Sequence, residues 1–181
     1  MPDKLLEIKK AILQAKEERW KKQLDFLDKF EGTLICFKFN IPSWPKNSEE
    51  ISQAFESLLG EFIKFLMREK VAFSIIDQSE TILGPEAFLL VNIPPANTKK
   101  QTIQFEEEGI VGRLLDLDVL ARDGKPIERT IKRKCYLCDD LAINCMISQK
   151  HPPEEARKYF DKIIENYLEN VVTSKQFDAK S

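Results

Sequence analysis

Two aspartates, two residues apart, are the first candidates for chemistry in this chain. They lie in Gly112-Arg113-Leu114-Leu115-Asp116-Leu117-Asp118, where polar and apolar residues alternate and predict a strand over residues 113–120. Residues two apart in a strand point to the same face, so Asp116 and Asp118 should project together. Two close carboxylates repel each other, and a divalent cation such as Mg²⁺ relieves that repulsion. The pattern predicts a magnesium site. The alternative is an amphipathic edge strand with a solvated acidic face.

Basic residues beside the aspartates favour a phosphate ligand. The guanidinium of Arg113 suits phosphate oxygens, and Gly112 would let the backbone approach a ligand closely. Residues 122–134 contain six basic and two acidic side chains, in a chain whose net charge is −2. Within them, Arg129 and Arg133 are candidates to offset phosphate charge. This run is either a local anion site or a solvated surface loop. A metal held against a phosphate would serve phosphoryl or nucleotidyl transfer.

A third carboxylate would strengthen the metal site. Glu86, in Gly84-Pro85-Glu86-Ala87, follows a turn in an apolar setting and is a candidate for substrate binding. Glu106, Glu107 and Glu108 precede the aspartate strand. We interpret these three as the charged end of a helix.

Cysteines and a histidine in the C-terminal third have the ligand types of a Cys₃His zinc site. Cys135 and Cys138 form a C-x-x-C pair that can reach one metal, followed by Cys145 and His151. Such a closed site would be structural. The alternative is a set of ordinary reduced cysteines, because the second half does not match common finger spacings. Cys36 lies in an apolar strand and should be a buried small hydrophobe.

Hydrophobic periodicity predicts one domain over residues 1–172. It comprises an N-terminal helix at 3–29, an α/β core at 33–131 and a small Cys-bearing helical cap at 132–172. A flexible polar tail is expected at 173–181. The core has the order β-α-β-β-α-β, which predicts an α+β, ferredoxin-like split βαβ fold. Its last strand would carry the aspartates and be followed by a short return strand at 126–131.

Composition limits the classes of function. The chain has 181 residues, and its net charge of −2 argues against a dedicated nucleic-acid binder. No stretch reaches the roughly 18 apolar residues of a membrane span, so we expect no membrane partner. The N-terminal residues lack the apolar run of a signal peptide, which predicts a cytoplasmic protein with reduced cysteines. The chain has one histidine, which excludes a metal site built from several histidines.

Taken together, these segments resemble the holo-citrate lyase synthase family, whose full name is apo-citrate lyase phosphoribosyl-dephospho-CoA transferase. The similarity runs from about residue 20 to about residue 165. The residues that carry it are Gly84-Pro85-Glu86-Ala87, Gly112–Val119, Ile127-Glu128-Arg129, Arg133–Cys138, Ala142, Cys145 and His151.

This resemblance implies a nucleotidyltransferase-like fold and a specific reaction. Such enzymes transfer phosphoribosyl-dephospho-CoA from triphosphoribosyl-dephospho-CoA to a serine of the apo acyl-carrier (gamma) subunit of citrate lyase, releasing pyrophosphate. Related malonate decarboxylase enzymes and DNA polymerase beta-like nucleotidyltransferases have a similar aspartate pair, and the latter bind metal with it. Asp116 and Asp118 would take that role with Mg²⁺. The alternatives are the same chemistry on a malonate decarboxylase-type carrier, or a non-enzymatic carrier-binding module.

Overall fold

The structure, a computed structural model, describes residues 2–178, with side chains for residues 6–173. Residues 179–181 of the tail expected at 173–181 lie outside this described part. The helices and strands are α1 (Pro2–Lys29), β1 (Thr33–Phe39), α2 (Glu49–Arg68), β2 (Phe73–Thr81), β3 (Gly84–Val91), α3 (Pro95–Glu107), β4 (Leu115–Leu120), α4 (Ala142–Ser148) and α5 (Pro153–Asp178). One 3₁₀ turn (Val111–Leu114) precedes β4.

The four strands form one antiparallel sheet in the order β2-β3-β1-β4. Strand β1 is central, and its Lys38 lies opposite Glu86 of β3 and opposite Asp116 of β4. Strand β4 lies at one edge. The expected mixed architecture of helices and strands is confirmed. Because directly opposite residues of paired strands point to the same face, these three side chains form one row across the sheet.

Helices α2, α3 and α5 cover one face of the sheet. The apolar residues of α2 recur every three or four positions, so a single stripe of the helix meets the sheet. On the sheet side, Ile35 and Phe37 of β1 meet Leu115 and Leu117 of β4, all with no exposed surface. Each such side chain contributes roughly 1.5–3 kcal/mol when fully buried. This core packs against the face of β4 opposite to the two aspartates.

Helix α1 lies against the opposite face. Leu27 of α1 joins Leu34, Cys36 and Phe88 in a second, smaller apolar cluster. Cys36 is fully buried there, as expected. The α1 face is therefore apolar at one end and carries the row of charged side chains at the other.

Two sequence predictions near the aspartates are wrong. The strand begins at Leu115 rather than at residue 113, because Arg113 belongs to the 3₁₀ turn that follows α3. In the described residues 126–131, the return strand is reduced to one bridge between Leu120 and Pro126. Proline has no N–H to continue a ladder, and the chain then turns away so that Arg129 reaches Glu106.

Among the described helices, none is both long enough and apolar enough to cross a membrane.

Candidate functional site

The aspartate pair lies on the α1 face of β4. Asp116 and Asp118 alternate with the buried Leu115, Leu117 and Val119, as the period of a strand predicts. Their side chains are 39% and 37% exposed. The apolar core thus lies on the other face of the strand, and both carboxylates are accessible to a charged ligand from solvent.

Lys38 joins the two carboxylates. Its Nζ lies 2.6 Å from Oδ2 of Asp116 and 2.6 Å from Oδ2 of Asp118. Its side chain is only 13% exposed. Sequence reasoning missed this residue, although a single lysine in the apolar strand Thr-Leu-Ile-Cys-Phe-Lys-Phe was a usable signal. The two aspartates thus already converge on one cation.

The charges of this group support one another. Burial favours the neutral form of Asp116, but the adjacent ammonium of Lys38 outweighs it and holds the pKa of Asp116 below its usual value. Burial also opposes the charge of Lys38. The carboxylates of Asp118 and Asp116 prevail, however, and the pKa of Lys38 is raised above its usual value. The geometry thus places one ammonium group between two carboxylates.

Arg133 borders the pair on the outer side of β4. Its Nη2 lies 3.8 Å from Oδ1 of Asp116, and its Nη1 donates to the carbonyl oxygen of Leu115 at 2.6 Å. Its Nη2 also donates to Glu106. Of the three arginines predicted to bind phosphate, Arg133 is the one whose guanidinium the structure brings to an aspartate.

Glu106 anchors the basic segment. It is 2% exposed, and its Oε1 accepts a hydrogen bond from the backbone N–H of Leu117 at 2.8 Å. Its Oε2 accepts one from Arg129 at 2.8 Å. The interpretation of Glu106 as a charged helix end is therefore incomplete, because its carboxylate binds both Arg129 and Arg133 beneath β4. Arg129 is also 3.5 Å from Glu107, so two carboxylates offset its charge.

Arg113 and Gly112 lie in the 3₁₀ turn at the start of β4. Nη2 of Arg113 donates to the carbonyl oxygen of Cys135 at 3.0 Å, which links this turn to the cysteine segment. Gly112 packs against the end of α3, where a Cβ would lie 2.5 Å from the carbonyl oxygen of Glu106. Glycine is therefore required at this position because the backbone lies close to helix α3 of the same chain.

Glu86 lies in the same row but two strands away from Asp116, with Lys38 between them. It is 2% exposed and pairs with Arg19 of α1. A second ion pair of α1 joins Lys22 Nζ to Asp77 Oδ2 at 2.5 Å. These contacts fasten α1 across the polar end of the sheet and separate Glu86 from the aspartate pair.

Further cations surround the end of this row. Burial lowers the pKa of Lys46, and the positive charges of Lys16, Arg19, Lys38 and Arg157 lower it further. Nζ of Lys46 donates to the carbonyl oxygen of Ile41 at 2.9 Å. These residues come from α1, β1, the loop after β1 and α5, so no single basic run indicated them. Together they bring several positive charges to the end of the row that also holds Glu86, Asp116 and Asp118.

The predicted cysteine cluster comes together as a group that could hold one metal ion. The ligand atoms of Cys135, Cys138, Cys145 and His151 all lie within 4.8 Å of one another. A hydrogen bond with His151 lowers the pKa of Cys138 to about 6, whereas desolvation raises the pKa of Cys145 to about 12.

Comparison with known proteins adds a family and named relatives. The model of a family described as apo-citrate lyase phosphoribosyl-dephospho-CoA transferase matches residues 8–167. The chain is 30% identical over 165 residues to a "Probable apo-citrate lyase phosphoribosyl-dephospho-CoA transferase" of Streptococcus pyogenes serotype M18 (strain MGAS8232), covering 87% of this chain and 85% of that protein. It is 29% identical over 174 residues to a protein of the same name from Vibrio cholerae serotype O1 (strain M66-2), covering 92% and 96%. The family match spans both the aspartate pair and the cysteine cluster.

Proposed function

Since this chain belongs to the apo-citrate lyase phosphoribosyl-dephospho-CoA transferase family, we propose that it attaches the prosthetic group of citrate lyase to the apo acyl-carrier subunit of that enzyme. The chain is a transferase. The donor in this proposal is triphosphoribosyl-dephospho-CoA, and the acceptor is a serine of the carrier, the gamma subunit. The non-enzymatic carrier-binding alternative is set aside, because family and relatives are transferases.

The proposed reaction is a nucleotidyl transfer. The serine oxygen of the carrier attacks the α-phosphorus of the precursor in line, and a new phosphate ester bond forms. The bond from that phosphorus to the oxygen bridging to the β-phosphate breaks, and pyrophosphate leaves. The serine proton passes to solvent. Positioning and electrostatics supply most of the rate in such transfers.

One observation carries this proposal: Asp116 and Asp118 converge on a single cation. Each presents an Oδ2 at 2.6 Å from the same ammonium group, and both are open to solvent. Paired carboxylate oxygens are the protein ligands that Mg²⁺ takes at phosphate sites, so these two residues fit the ion. Bound there, Mg²⁺ would neutralise charge on the reacting phosphate. The Asp116 and Asp118 carboxylates would hold it, and Lys38 keeps them together when it is absent.

Basic side chains would bind the triphosphate. Arg133 is best supported because it lies 3.8 Å from Asp116. Arg113 has its guanidinium 3.0 Å from the carbonyl oxygen of Cys135, at the same end of β4. Glu106 and Glu107 offset the charge of Arg129. Arg129 would therefore contribute by holding the basic segment in its conformation. Gly112 and Glu86 would shape the site, Gly112 through the turn before β4 and Glu86 through Arg19.

The fold belongs to the same proposal. The strand order β2-β3-β1-β4 and the element order β-α-β-β-α-β support a ferredoxin-like core of the nucleotidyltransferase type. Residues 132–172 would form a Cys-bearing helical cap beside it.

The experiment that tests the function is transfer from the precursor to purified apo carrier in the presence of Mg²⁺, followed by mass spectrometry of the carrier. We expect wild-type protein to add one prosthetic group. Asp116→Asn and Asp118→Asn should each lower the rate by at least about a hundredfold, the size of effect that follows removal of one group that stabilises charge in a transition state. Asp123→Asn is the matched control, because Asp123 lies in the exposed turn after β4.

Near-wild-type activity of Asp116→Asn would exclude the role of the pair in metal binding. Modification of a malonate decarboxylase carrier in place of the citrate lyase carrier would reassign the acceptor and leave the chemistry unchanged.

A further inference from the structure

Three thiols and one imidazole converge on one point outside the aspartate pair. Cys138 Sγ lies 3.4 Å from Cys145 Sγ and 3.3 Å from His151 Nε2, and all four ligand atoms, including that of Cys135, lie within 4.8 Å of one another. Ligands at about 2.0–2.3 Å from a tetrahedral zinc ion are roughly 3.3–3.8 Å apart. We propose that Cys135, Cys138, Cys145 and His151 bind one structural Zn²⁺ ion, which holds the segment that follows Arg133 beside the aspartate pair.

The neighbours of these side chains suit metal ligands. The backbone N–H of Leu137 donates to Cys135 Sγ at 3.4 Å, so this sulfur already has a hydrogen-bond donor beside it. His151 directs Nε2 to the thiols, while its Nδ1 lies 3.9 Å from Oε2 of Glu155. Metal-bound histidines use the second ring nitrogen to bind a carboxylate, a backbone carbonyl or water, and Glu155 is the carboxylate near enough to take that place after a small shift. The group therefore has the ligand types of a metal site, a backbone donor to one sulfur and a carboxylate near the histidine.

The segment needs such a cross-link because it has little core of its own. Residues 121–141 contain no helix or strand, and within residues 131–151 Cys145 alone is buried. Backbone hydrogen bonds close a small loop, from Cys135 N to Asp140 O at 2.8 Å and from Ala142 N to Arg133 O at 2.9 Å. A metal bound by residues on both sides of α4 would supply the stability that apolar burial does not.

Ligand chemistry favours zinc over Mg²⁺ and Ca²⁺. Three thiolates and an imidazole are soft and borderline ligands, which Mg²⁺ and Ca²⁺ do not take. All four tetrahedral positions come from protein, so none is open for a substrate. The ion is therefore structural, and it is chemically separate from the carboxylate oxygens of Asp116 and Asp118.

The zinc site is linked to the aspartate pair through short connections. Arg133 lies two residues before Cys135, and it contacts Leu115 O and Asp116 Oδ1. Arg113 donates to the carbonyl oxygen of Cys135 from the other side. Glu106 and Leu115 O would still bind Arg133 after loss of the ion, but the segment that follows it would be less firmly held beside the pair. This consequence rests on the proposed function, whereas zinc binding itself does not.

The test measures metal in the full-length protein purified under reducing conditions without chelator. We expect about one zinc per chain, the stoichiometry of a closed four-ligand site. Cys138→Ser should reduce this to below about a tenth, because three ligands hold zinc far more weakly. Cys36→Ala is the matched control: it removes the one cysteine outside the cluster and should retain full zinc content.

A second variant decides the outcome even if Cys138→Ser does not fold. His151→Cys should still bind zinc, and its Co²⁺-substituted form should show stronger thiolate-to-cobalt charge-transfer absorption than wild type, because four thiolates replace three. Zinc-free wild-type protein, a disulfide between Cys138 and Cys145 in its place, or unchanged cobalt absorption in His151→Cys would overturn the proposal.

Failure of the zinc site and failure of the proposed function are distinguishable. Asp116→Asn should lose carrier modification and keep its zinc. Zinc-depleted wild-type protein should instead show a raised apparent KM for the precursor, restored when zinc is added back. Zinc at full occupancy with no carrier modification would refute the function alone.

Discussion

Lys38 places a permanent positive charge where the proposed metal ion would bind. Its ammonium group contacts Oδ2 of Asp116 and Oδ2 of Asp118, so an incoming cation must either displace it or use the remaining carboxylate oxygens. In return, Lys38 keeps two half-buried anions from repelling each other while no metal is bound. The lysine would thus make the pair stable at the expense of metal affinity.

Lys38→Met should separate these two effects. Without Mg²⁺ we expect the free energy of unfolding to fall by about 2 kcal/mol, less than for a fully buried ion pair because both aspartates are more than one third exposed. Adding Mg²⁺ should then stabilise the variant more than it stabilises wild type. Denaturant unfolding with and without MgCl₂ measures both quantities.

Lys22→Met is the control for this experiment. It removes the ammonium of a 2.5 Å ion pair with Asp77 and should leave the response to Mg²⁺ unchanged. A Lys38→Met variant that responds to Mg²⁺ no more than wild type would contradict competition between the lysine and the metal.

The pairing of Asp116 with Asp118 was predictable at this scale, and the contact with Lys38 was not. Period-two alternation is local, so the sequence of β4 alone places both carboxylates on one side. Lys38 reaches them through the register of β1 against β4, which joins residues nearly 80 positions apart. The sequence of one strand alone does not specify how it aligns with the other strand.

The junction from α3 through the 3₁₀ turn to β4 sets the position of the aspartate strand. Gly112 passes so close to the end of α3 that a Cβ would lie 2.5 Å from Glu106 O and 2.9 Å from its carbonyl carbon. The carboxylate of the same Glu106 binds Leu117 N and both Arg129 and Arg133. One helix end therefore orients the strand and the basic segment together.

Gly112→Ala should disturb this junction. The added methyl group meets backbone rather than a flexible side chain, so we expect a loss of about 1–3 kcal/mol in the free energy of unfolding. Carrier modification should also fall, because β4 or Glu106 must shift. Chemical denaturation and the transfer assay provide the two readouts.

Gly109→Ala is the matched change three residues earlier, where a Cβ would have no neighbour within 4 Å. It should alter stability by no more than about 0.5 kcal/mol. Equal effects of the two substitutions would show that the close approach of Gly112 to α3 does not matter.

The role of Glu106 was hidden by the composition of α3. Its buried face contains Thr98, Lys99, Thr102 and Glu106 beside Phe105, so it lacks the apolar stripe by which a buried helix face is recognised. Lys99 is satisfied by the carbonyl oxygen of Leu117 at 2.9 Å, and Glu106 by the N–H of the same residue. A buried face that bonds to a strand backbone is polar, and hydrophobic periodicity does not detect it.

At the scale of the whole molecule, the C-terminal helix packs into the main core. Phe160 of α5 has no exposed surface and meets Phe39 of β1 edge to face, with ring centroids 5.7 Å apart. Ile164 belongs to the same cluster. The prediction that residues 1–172 form one domain therefore has a specific physical test.

Phe160→Ala should lower the free energy of unfolding by about 3–5 kcal/mol, the range for a large aromatic side chain removed from a core. The loss should appear as one transition, seen equally by near-UV and far-UV circular dichroism, because α5 and the sheet share that core. Val172→Ala, near the exposed end of α5, should change little. Two separate transitions would indicate that the C-terminal helix folds independently.

The single histidine of this chain, His151, gives the cysteine cluster a spectroscopic label of its own. One imidazole produces one set of ring signals in a magnetic resonance spectrum, so no assignment is needed to follow it. Coordination through Nε2 would leave the ring proton on Nδ1, facing Glu155, and lock one tautomer. The nitrogen chemical shifts of a single residue would therefore report the occupancy of the cluster in the intact protein, even while the carrier is being modified.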